Sequence, residues 1–499
     1  MGEIVETTSG RIEGSSRGAH QRFLGIPFAA PPVGELRWRA PQPPASWTGV
    51  RAAQAYAPSC PQPPSALPGM AVREQDEDCL YLNVFTPRAD GAKRPVLFWI
   101  HGGGFTGGGA AQALYDGGAL AERGDVVVVT INYRLGALGY LHLPGADANA
   151  GQLDQIAALR WTAANIAAFG GDPSQVTIFG ESAGGMAVAT LLGMPGARGL
   201  FRAAIPQSGA AHNVHSRESA AKVTAALLER LGLGTPDLAK LRALPAARIL
   251  EAQTALMSER RALGLLSFAP MVDGASLPTP PLEAVRSGAC KGIALLVGSN
   301  KDESKLFRMS VAESAALSAE SLEKRVRAGL ALHRAEEAAT ARVIDTYRRA
   351  RAGVASVEPG ELLDAIDSDR TFRIPAIRLA EAQSAHEPNT YMYLFTWPSP
   401  ARRGTLGSCH ALELPFMFGT LDAPTMDRFA GKGPDADELS ARMMDSWAAF
   451  ARTGRPGHAG LPEWPRYDAS RRATLVFDKR CELAHGPLDV ERSAWDGIL

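Results

Sequence analysis

The chain has 499 residues, with 52 basic and 52 acidic side chains, so its formal net charge is zero. That balance gives no electrostatic footprint for nucleic acid or an anionic membrane surface. A hydrophobic content of 45% supplies a large core, but no apolar run reaches the ~18 residues of a transmembrane helix, so no membrane insertion is expected.

Residues 1–11 include acidic side chains and no apolar h-region, which argues against a signal peptide. The expected location is cytoplasmic if the chain is full length, and periplasmic or secreted if a leader was removed. Arginine far outnumbers lysine and alanine is abundant, a composition that points to a GC-rich bacterial genome. The five cysteines are Cys60, Cys79, Cys290, Cys409 and Cys481. An odd number leaves at least one free or paired between chains. No Cys/His grouping has zinc spacing, so neither a metal nor a cofactor is expected.

Along the chain, Gly14-Ser15-Ser16-Arg17-Gly18 lies in polar surroundings and reads as a hairpin turn. Residues 27–68 are proline-rich and irregular. Residues 96–100 and 126–131 are apolar runs without polar alternation, as expected of central strands in a mostly parallel sheet. A helix follows over 153–168, with Ile156, Leu159, Ala163 and Ile166 on one face. Residues 176–179 form the next strand and 183–192 a helix. Further strands are expected at 201–206, 293–297, 391–395 and 474–477. Largely helical segments are expected at 212–266 and 310–352, with Thr235-Pro236-Asp237 opening a helix through Pro at its first position. This alternation is of α/β type. With no internal repeat or long linker, one elaborated domain is expected over 1–499.

The stretch Gly180-Glu181-Ser182-Ala183-Gly184 carries the chemistry. In a chain of this composition G-x-S-x-G arises by accident about 0.3 times, and residues 14–18 are such an accident. At 180–184, however, an apolar strand runs in and a helix runs out. That is a nucleophile elbow, which presents a serine hydroxyl on a tight turn. Glycines at 180 and 184 leave room for the neighbouring backbone. His101-Gly102-Gly103-Gly104-Phe105 directly follows the strand ending at residue 100. An H-G-G-G loop there supplies oxyanion donors in α/β-hydrolases, so the expected donors are the N–H groups of Gly103, Gly104 and Ala183. No P-loop lysine follows, which disfavours a phosphate cradle.

An acid and then a histidine should follow the serine in chain order. His410 stands out because Gly407-Ser408-Cys409-His410 opens onto an apolar patch, whereas His333, His386, His458 and His485 lie in polar or tail-like sequence. The acid lies in Asn300-Lys301-Asp302-Glu303, past the strand at 293–297. Spacing alone leaves Asp302 and Glu303 open.

The chain resembles the type B carboxylesterases, the family of cholinesterases, liver carboxylesterases and p-nitrobenzyl esterases. The resemblance runs nearly end to end. It rests on residues 23–29 (Phe-Leu-Gly-Ile-Pro-Phe-Ala), Glu77-Asp78-Cys79-Leu80-Tyr81-Leu82-Asn83-Val84, Asn132-Tyr133-Arg134 and Phe169-Gly170-Gly171-Asp172-Pro173. The elbow, Pro206-Gln207-Ser208-Gly209, Asn300-Lys301-Asp302-Glu303, His410 and residues 447–454 complete it. It implies an α/β-hydrolase fold with Ser182 as nucleophile, Glu303 as acid and His410 as base. It also implies Ser208 behind Glu303, with Glu181 a supporting residue beside the triad, and Arg37–Glu77 as a buried ion pair. Cys60 and Cys79 match the family's N-terminal disulfide, which would add about 3 kcal/mol in the chain-entropy model, or are thiols in a reducing compartment.

Three departures stand out. Residues 61–78 contain no aromatic, whereas cholinesterases carry a tryptophan there that stacks on a quaternary ammonium, so a choline ester is a poor substrate. Met186-Ala187 replaces a common serine, and Ser304 a common glycine. Phe105, Phe268, Phe307 and Phe416 lie beside the motifs as candidate lining of an apolar pocket, with core burial the alternative.

The expected activity is hydrolysis of neutral esters of small-to-medium acyl groups through an acyl-enzyme, by a monomer or homodimer. A lipase or a carbamate or amide hydrolase on the same fold is the enzymatic alternative. A non-catalytic recognition protein is disfavoured by the retained triad and glycines.

Overall fold

The computed structural model describes residues 3–65, 71–72, 74–258, 266–308, 317–333 and 335–499. Its strands in chain order are β1 Ile4–Thr7, β2 Gly10–Glu13, β3 Ser15–Arg17, β4 His20–Pro27, β5 Val50–Ala52, β6 Tyr81–Thr86 and β7 Arg94–Ile100. They continue with β8 Val127–Ile131, β9 Gly171–Glu181, β10 Ala203–Gln207, β11 Ala294–Asn300, β12 Thr390–Phe395, β13 Ala473–Phe477 and β14 Glu482–His485. β1, β2 and β5 form a small sheet; the other strands form one 11-stranded sheet in the order β14-β13-β12-β11-β10-β9-β7-β8-β6-β4-β3. All pairings from β8 across to β13 are parallel, and the two flanks are antiparallel.

The apolar runs explain the layering. Successive side chains of a strand point to opposite faces. Val96, Phe98 and Ile100 of β7 join one buried cluster, while Leu97 and Trp99 join the other. Val127, Val129 and Ile131 of β8 lie on the first face and Val128 on the second. Strands buried on both faces need apolar residues at every position. Helices Ala150–Asn165 and Ala183–Leu192 cover the first face, and helix Pro434–Thr453 covers the second with Leu439, Met443, Trp447 and Phe450. Among the described residues, no helix is long and apolar enough to cross a membrane.

Several boundaries depart from expectation. The helix expected over 153–168 starts earlier, at Ala150, and tightens into a 3-10 turn at Ile166–Phe169. Residues 15–17 are a strand rather than a turn: they pair with β4, and the reversal falls at Gly18 and Ala19. Thr235 and Pro236 do not open a helix. Asp237 is the cap, its carboxylate accepting from the Lys240 N–H at 3.1 Å, and the helix runs Leu238–Ala243. The helical segments resolve into Arg217–Arg230, Leu238–Ala243, Ala246–Ser258, Ala319–Ala331 and Ala339–Arg351. Residues 259–265, 310–316 and 334 of those expectations lie outside the described residues.

All five cysteines are buried and free, so of the two readings for Cys60 and Cys79, disulfide or thiols, the structure has the thiols. A hydrogen bond with Cys60 and burial hold the Cys79 thiol well above its ordinary pKa, and Cys60 Sγ accepts the Leu135 N–H at 3.2 Å. Arg37 grips Glu77 through Nε at 2.7 Å and Nη2 at 2.5 Å, as a bidentate pair.

Candidate active site

β9, β10, β11 and β12 are neighbours, and the residues just past their carboxyl ends converge, as is usual for sites on open parallel sheets. Ser182 follows β9 with φ 57° and ψ −125°, a conformation an L-residue adopts only under constraint. The constraint is visible. Its N–H donates to Gln207 O at 2.9 Å, and its carbonyl accepts from the Met186 N–H at 2.8 Å. A Cβ at Gly180 would sit 2.6 Å from the Ile100 carbonyl and the Gly184 backbone, and one at Gly184 would strike the Ile100 carbonyl. Those two glycines let the elbow nest against the end of β7.

The loop after β7 faces the serine. A Cβ at Gly102 would lie 3.1 Å from Ser182 Cβ. Gly103 and Gly104 have φ of 112° and 63°, and their N–H groups donate to no acceptor among the described residues. Ala183 is the first residue of its helix, so its N–H is one of the orphan donors of a helix start. The loop is braced from behind. Gly103 O accepts from the Gly107 N–H at 3.0 Å, and Gln62 exchanges hydrogen bonds with the Gly108 backbone at 2.7 and 2.8 Å. These contacts give Gly107 and Gly108 a bracing role. His101 stacks on Tyr133 at 4.5 Å between ring centroids, and Tyr133 Oη donates to His101 O at 2.8 Å. Burial pulls the His101 pKa down to about 4, so this imidazole is a neutral strut.

Past β11, the two neighbouring carboxylates separate. Asp302 turns to the Ser408 N–H at 3.0 Å. Glu303 is fully buried; its Oε2 lies 2.6 Å from His410 Nδ1 and its Oε1 accepts the Asn300 N–H at 2.8 Å. His410 follows β12. Its Nε2 lies 3.0 Å from Glu181 Oε1, an oxygen without a hydrogen-bond partner among the described residues. No hydrogen bond joins Nε2 to Ser182 among the described residues. Burial lowers the His410 pKa, but the charges of Glu181 and Glu303 outweigh it, and the net result lies well above the ordinary value.

The structure narrows two expectations. Ser208 is buried with φ 45°, and its Oγ has no hydrogen-bond partner among the described residues. Glu303 Oε2 is engaged by His410 and Oε1 by the Asn300 N–H. Phe105, Phe268 and Phe416 are fully buried and pack into the core, Phe416 against Phe395 and Trp397, so they cannot line an open pocket. Phe307 alone of the four is exposed, at 44%, and its ring lies 4.9 Å from that of His410.

Other residues at the site were missed. Glu413 is fully buried, accepting from Gln207 Nε2 at 3.2 Å and Asn300 Nδ2 at 2.7 Å. Gln207 in turn accepts from Trp447 Nε1 at 3.0 Å. Burial, with the charges of Glu181 and Glu303, pushes Glu413 up to about 8, so it is protonated at neutral pH. The signal for it was a lone carboxylate inside the apolar run 412–418. Phe372 packs on His410 at 4.7 Å; its sequence gives no such hint.

A parallel sheet with a serine elbow, an opposed glycine loop and a Glu–His pair beyond it defines a serine hydrolase of the α/β-hydrolase class. The chain belongs to the carboxylesterase family, whose model matches residues 2–493, and it is a carboxylic ester hydrolase. It is 40% identical over 498 residues to the para-nitrobenzyl esterase of Bacillus subtilis (strain 168), covering 98% of each chain. It is 38% identical over 496 residues to the phenmedipham hydrolase of Pseudarthrobacter oxydans, covering 96% of each. The crystal structure of the Geobacillus stearothermophilus carboxylesterase EST55 at pH 6.2 superposes with a TM-score of 0.87 at 40% identity, over 99% of both chains.

Proposed function

We propose that Ser182 is the nucleophile, His410 its base, Glu303 the acid that orients the base, and Gly103, Gly104 and Ala183 the oxyanion donors. The observation that carries this reading is the convergence of a strained serine, free backbone N–H groups and a carboxylate-bound imidazole at adjacent strand ends. His410 Nε2 takes the Ser182 proton as Oγ bonds to the ester carbonyl carbon. The carbonyl oxygen becomes an oxyanion held by the three N–H groups, each donor being worth about 2.7–4 kcal/mol. Glu303 fixes the tautomer with the proton on Nδ1 and stabilises the imidazolium. The tetrahedral adduct collapses, the C–O bond to the alcohol breaks, and His410 returns its proton to the leaving oxygen. A water molecule then gives a proton to His410 and its oxygen attacks the acyl-serine, releasing the carboxylic acid and restoring the Ser182 hydroxyl.

The substrates we propose are neutral esters with small-to-medium acyl groups. The exposed Phe307 ring beside His410 offers an apolar surface for them, and the name para-nitrobenzyl esterase on a relative agrees with an aromatic ester. We further propose that residues 1–499 work as one domain around the single large sheet. The test is hydrolysis of p-nitrophenyl esters from acetate to palmitate, with Ser182→Ala alongside. A Ser182-dependent optimum between acetate and octanoate is expected. A rise toward palmitate would favour a lipase, and turnover retained by Ser182→Ala would overturn the nucleophile.

A further inference from the structure

We propose that Phe372, delivered by a π turn, is a positioning residue for His410, holding its imidazole against an aromatic face together with Phe307. The inference rests on the reading of His410 as the base. Residues Asp369–Arg373 form one π-helical turn between helices Pro359–Ser368 and Ile374–Ser384. Such turns insert an extra residue, so they re-aim the side chains they carry, and they concentrate at functional sites. Here the re-aimed residue is Phe372, which is 3% exposed. Its ring centroid lies 4.7 Å from that of His410, tilted by 38°. Phe307 lies 4.9 Å from the same imidazole, and the two phenyl rings are nearly parallel at 9°. The charged groups facing the imidazole are Glu303 at Nδ1 and Glu181 at Nε2. The aromatic rings cover what the carboxylates leave open.

The turn is pinned rather than loose. Asp369 and Arg373, both buried, form a bidentate pair with two bonds of 2.6 Å. Tyr347 Oη donates to Asp369 and accepts from Trp495 Nε1 at 2.8 Å. Arg373 Nη1 also reaches the Pro487 carbonyl at 3.1 Å. A buried ion pair adds little net stability over apolar residues of the same size, but it does specify geometry. It locks the π turn to helix Ala339–Arg351 and to the C-terminal segment, and so fixes where Phe372 points.

The chemistry needs this twice. The imidazole must stay in line while it shuttles between serine, leaving group and water, and it becomes cationic at each proton uptake. A phenyl face attracts a cation through its quadrupole. The expected cost of losing that attraction is roughly threefold to thirtyfold in kcat.

The test compares wild type with Phe372→Leu and Phe372→Tyr on p-nitrophenyl butyrate, alongside an NMR titration of the His410 ring nitrogens. Leucine keeps apolar bulk and removes the π face; tyrosine keeps the face. The leucine variant should lose kcat with KM unchanged and show a lower His410 pKa, and the tyrosine variant should restore both. If Phe372→Leu does not fold, Phe372→Met takes its place. A leucine variant with unchanged kcat and an unmoved imidazole titration would overturn the proposal, as would a change confined to KM or acyl preference. The NMR arm needs no turnover, so it reads the clamp even if His410→Ala proved active and the base assignment failed.

Discussion

The serine side and the histidine side of the site are built in opposite ways. Around Ser182 the backbone does most of the work: a strained elbow, glycines where a Cβ would collide, and N–H groups left open by the loop after β7. Around His410 the work is done by side chains, most of them buried: Glu303, Glu181, Phe307 and Phe372 from other segments, and Glu413 from its own. The first half is local and sterically exacting, so single-atom additions should break it. The second is a set of balanced charges and faces, so substitutions should retune it. That contrast separates variants that abolish activity from variants that shift its pH dependence.

The sharpest way to break the comparison lies on the backbone side, away from any reacting atom. Gly108 has φ 101°, and a Cβ there would lie 2.5 Å from both the Gly102 carbonyl and His101 Nδ1. Gly108→Ala should displace the loop that presents Gly103 and Gly104. We expect kcat to fall on the order of 10²–10³-fold, the loss typical of one oxyanion donor, while Ser182 still reacts with a fluorophosphonate label. An active Gly108→Ala enzyme would show that the loop is softer than its glycines imply.

The histidine side should answer differently. Glu181→Gln removes a negative charge 3.0 Å from His410 Nε2. That charge is the larger of the two raising the His410 pKa against burial. Only the neutral imidazole accepts a proton, so wild-type activity should fall as pH drops through a raised pKa. The variant should hold activity to lower pH, with a modest loss of kcat at alkaline pH because the base is weaker. The pH profile of kcat/KM on a neutral ester reads this. An unmoved acid limb would mean that the Glu181 charge is not felt at Nε2.

The same division decides what was legible. The elbow and the H-G-G-G loop announce themselves in short stretches because collisions between backbone atoms dictate glycine at named positions. The central strands were legible as unbroken apolar runs, since both of their faces are covered. Asp302 and Glu303 could not be separated by spacing, because adjacent residues differ only in where the chain turns next; that depends on Ser408 and His410, over a hundred residues away. Phe372 was illegible because a π turn has no composition signature. The partner of Ser208 and the oxidation of Cys60 and Cys79 were illegible for a related reason. A family pattern brings residues near one another, but their hydrogen bonds and oxidation depend on local geometry that the pattern does not carry.

The smallest effect we expect on activity concerns Glu413, whose titration is read in stability instead, and it tests whether the histidine side is a balance of charges at all. The Glu413 carboxyl keeps its proton up to about pH 8 in the folded protein, because burial and its two carboxylate neighbours oppose ionisation. In the unfolded chain it releases that proton near its ordinary value of 4.5. Between those limits the folded state binds more protons, so this group's contribution to stability is full below the unfolded value. It is lost as pH rises, by at most about 1.4 kcal/mol per pH unit, and is flat above the folded pKa. Glu413→Gln removes the titration but keeps the shape. An amide has one acceptor where Gln207 and Asn300 now find two, so the variant should cost about 1 kcal/mol at low pH. Wild type should lose that advantage within about a pH unit above the unfolded value, so the two plots of stability against pH should cross well below pH 8. Parallel curves across the range would mean that Glu413 is already ionised at neutral pH. Glu413 would then add a third buried charge next to Glu181 and Glu303, and the charge balance argued for this side would not hold.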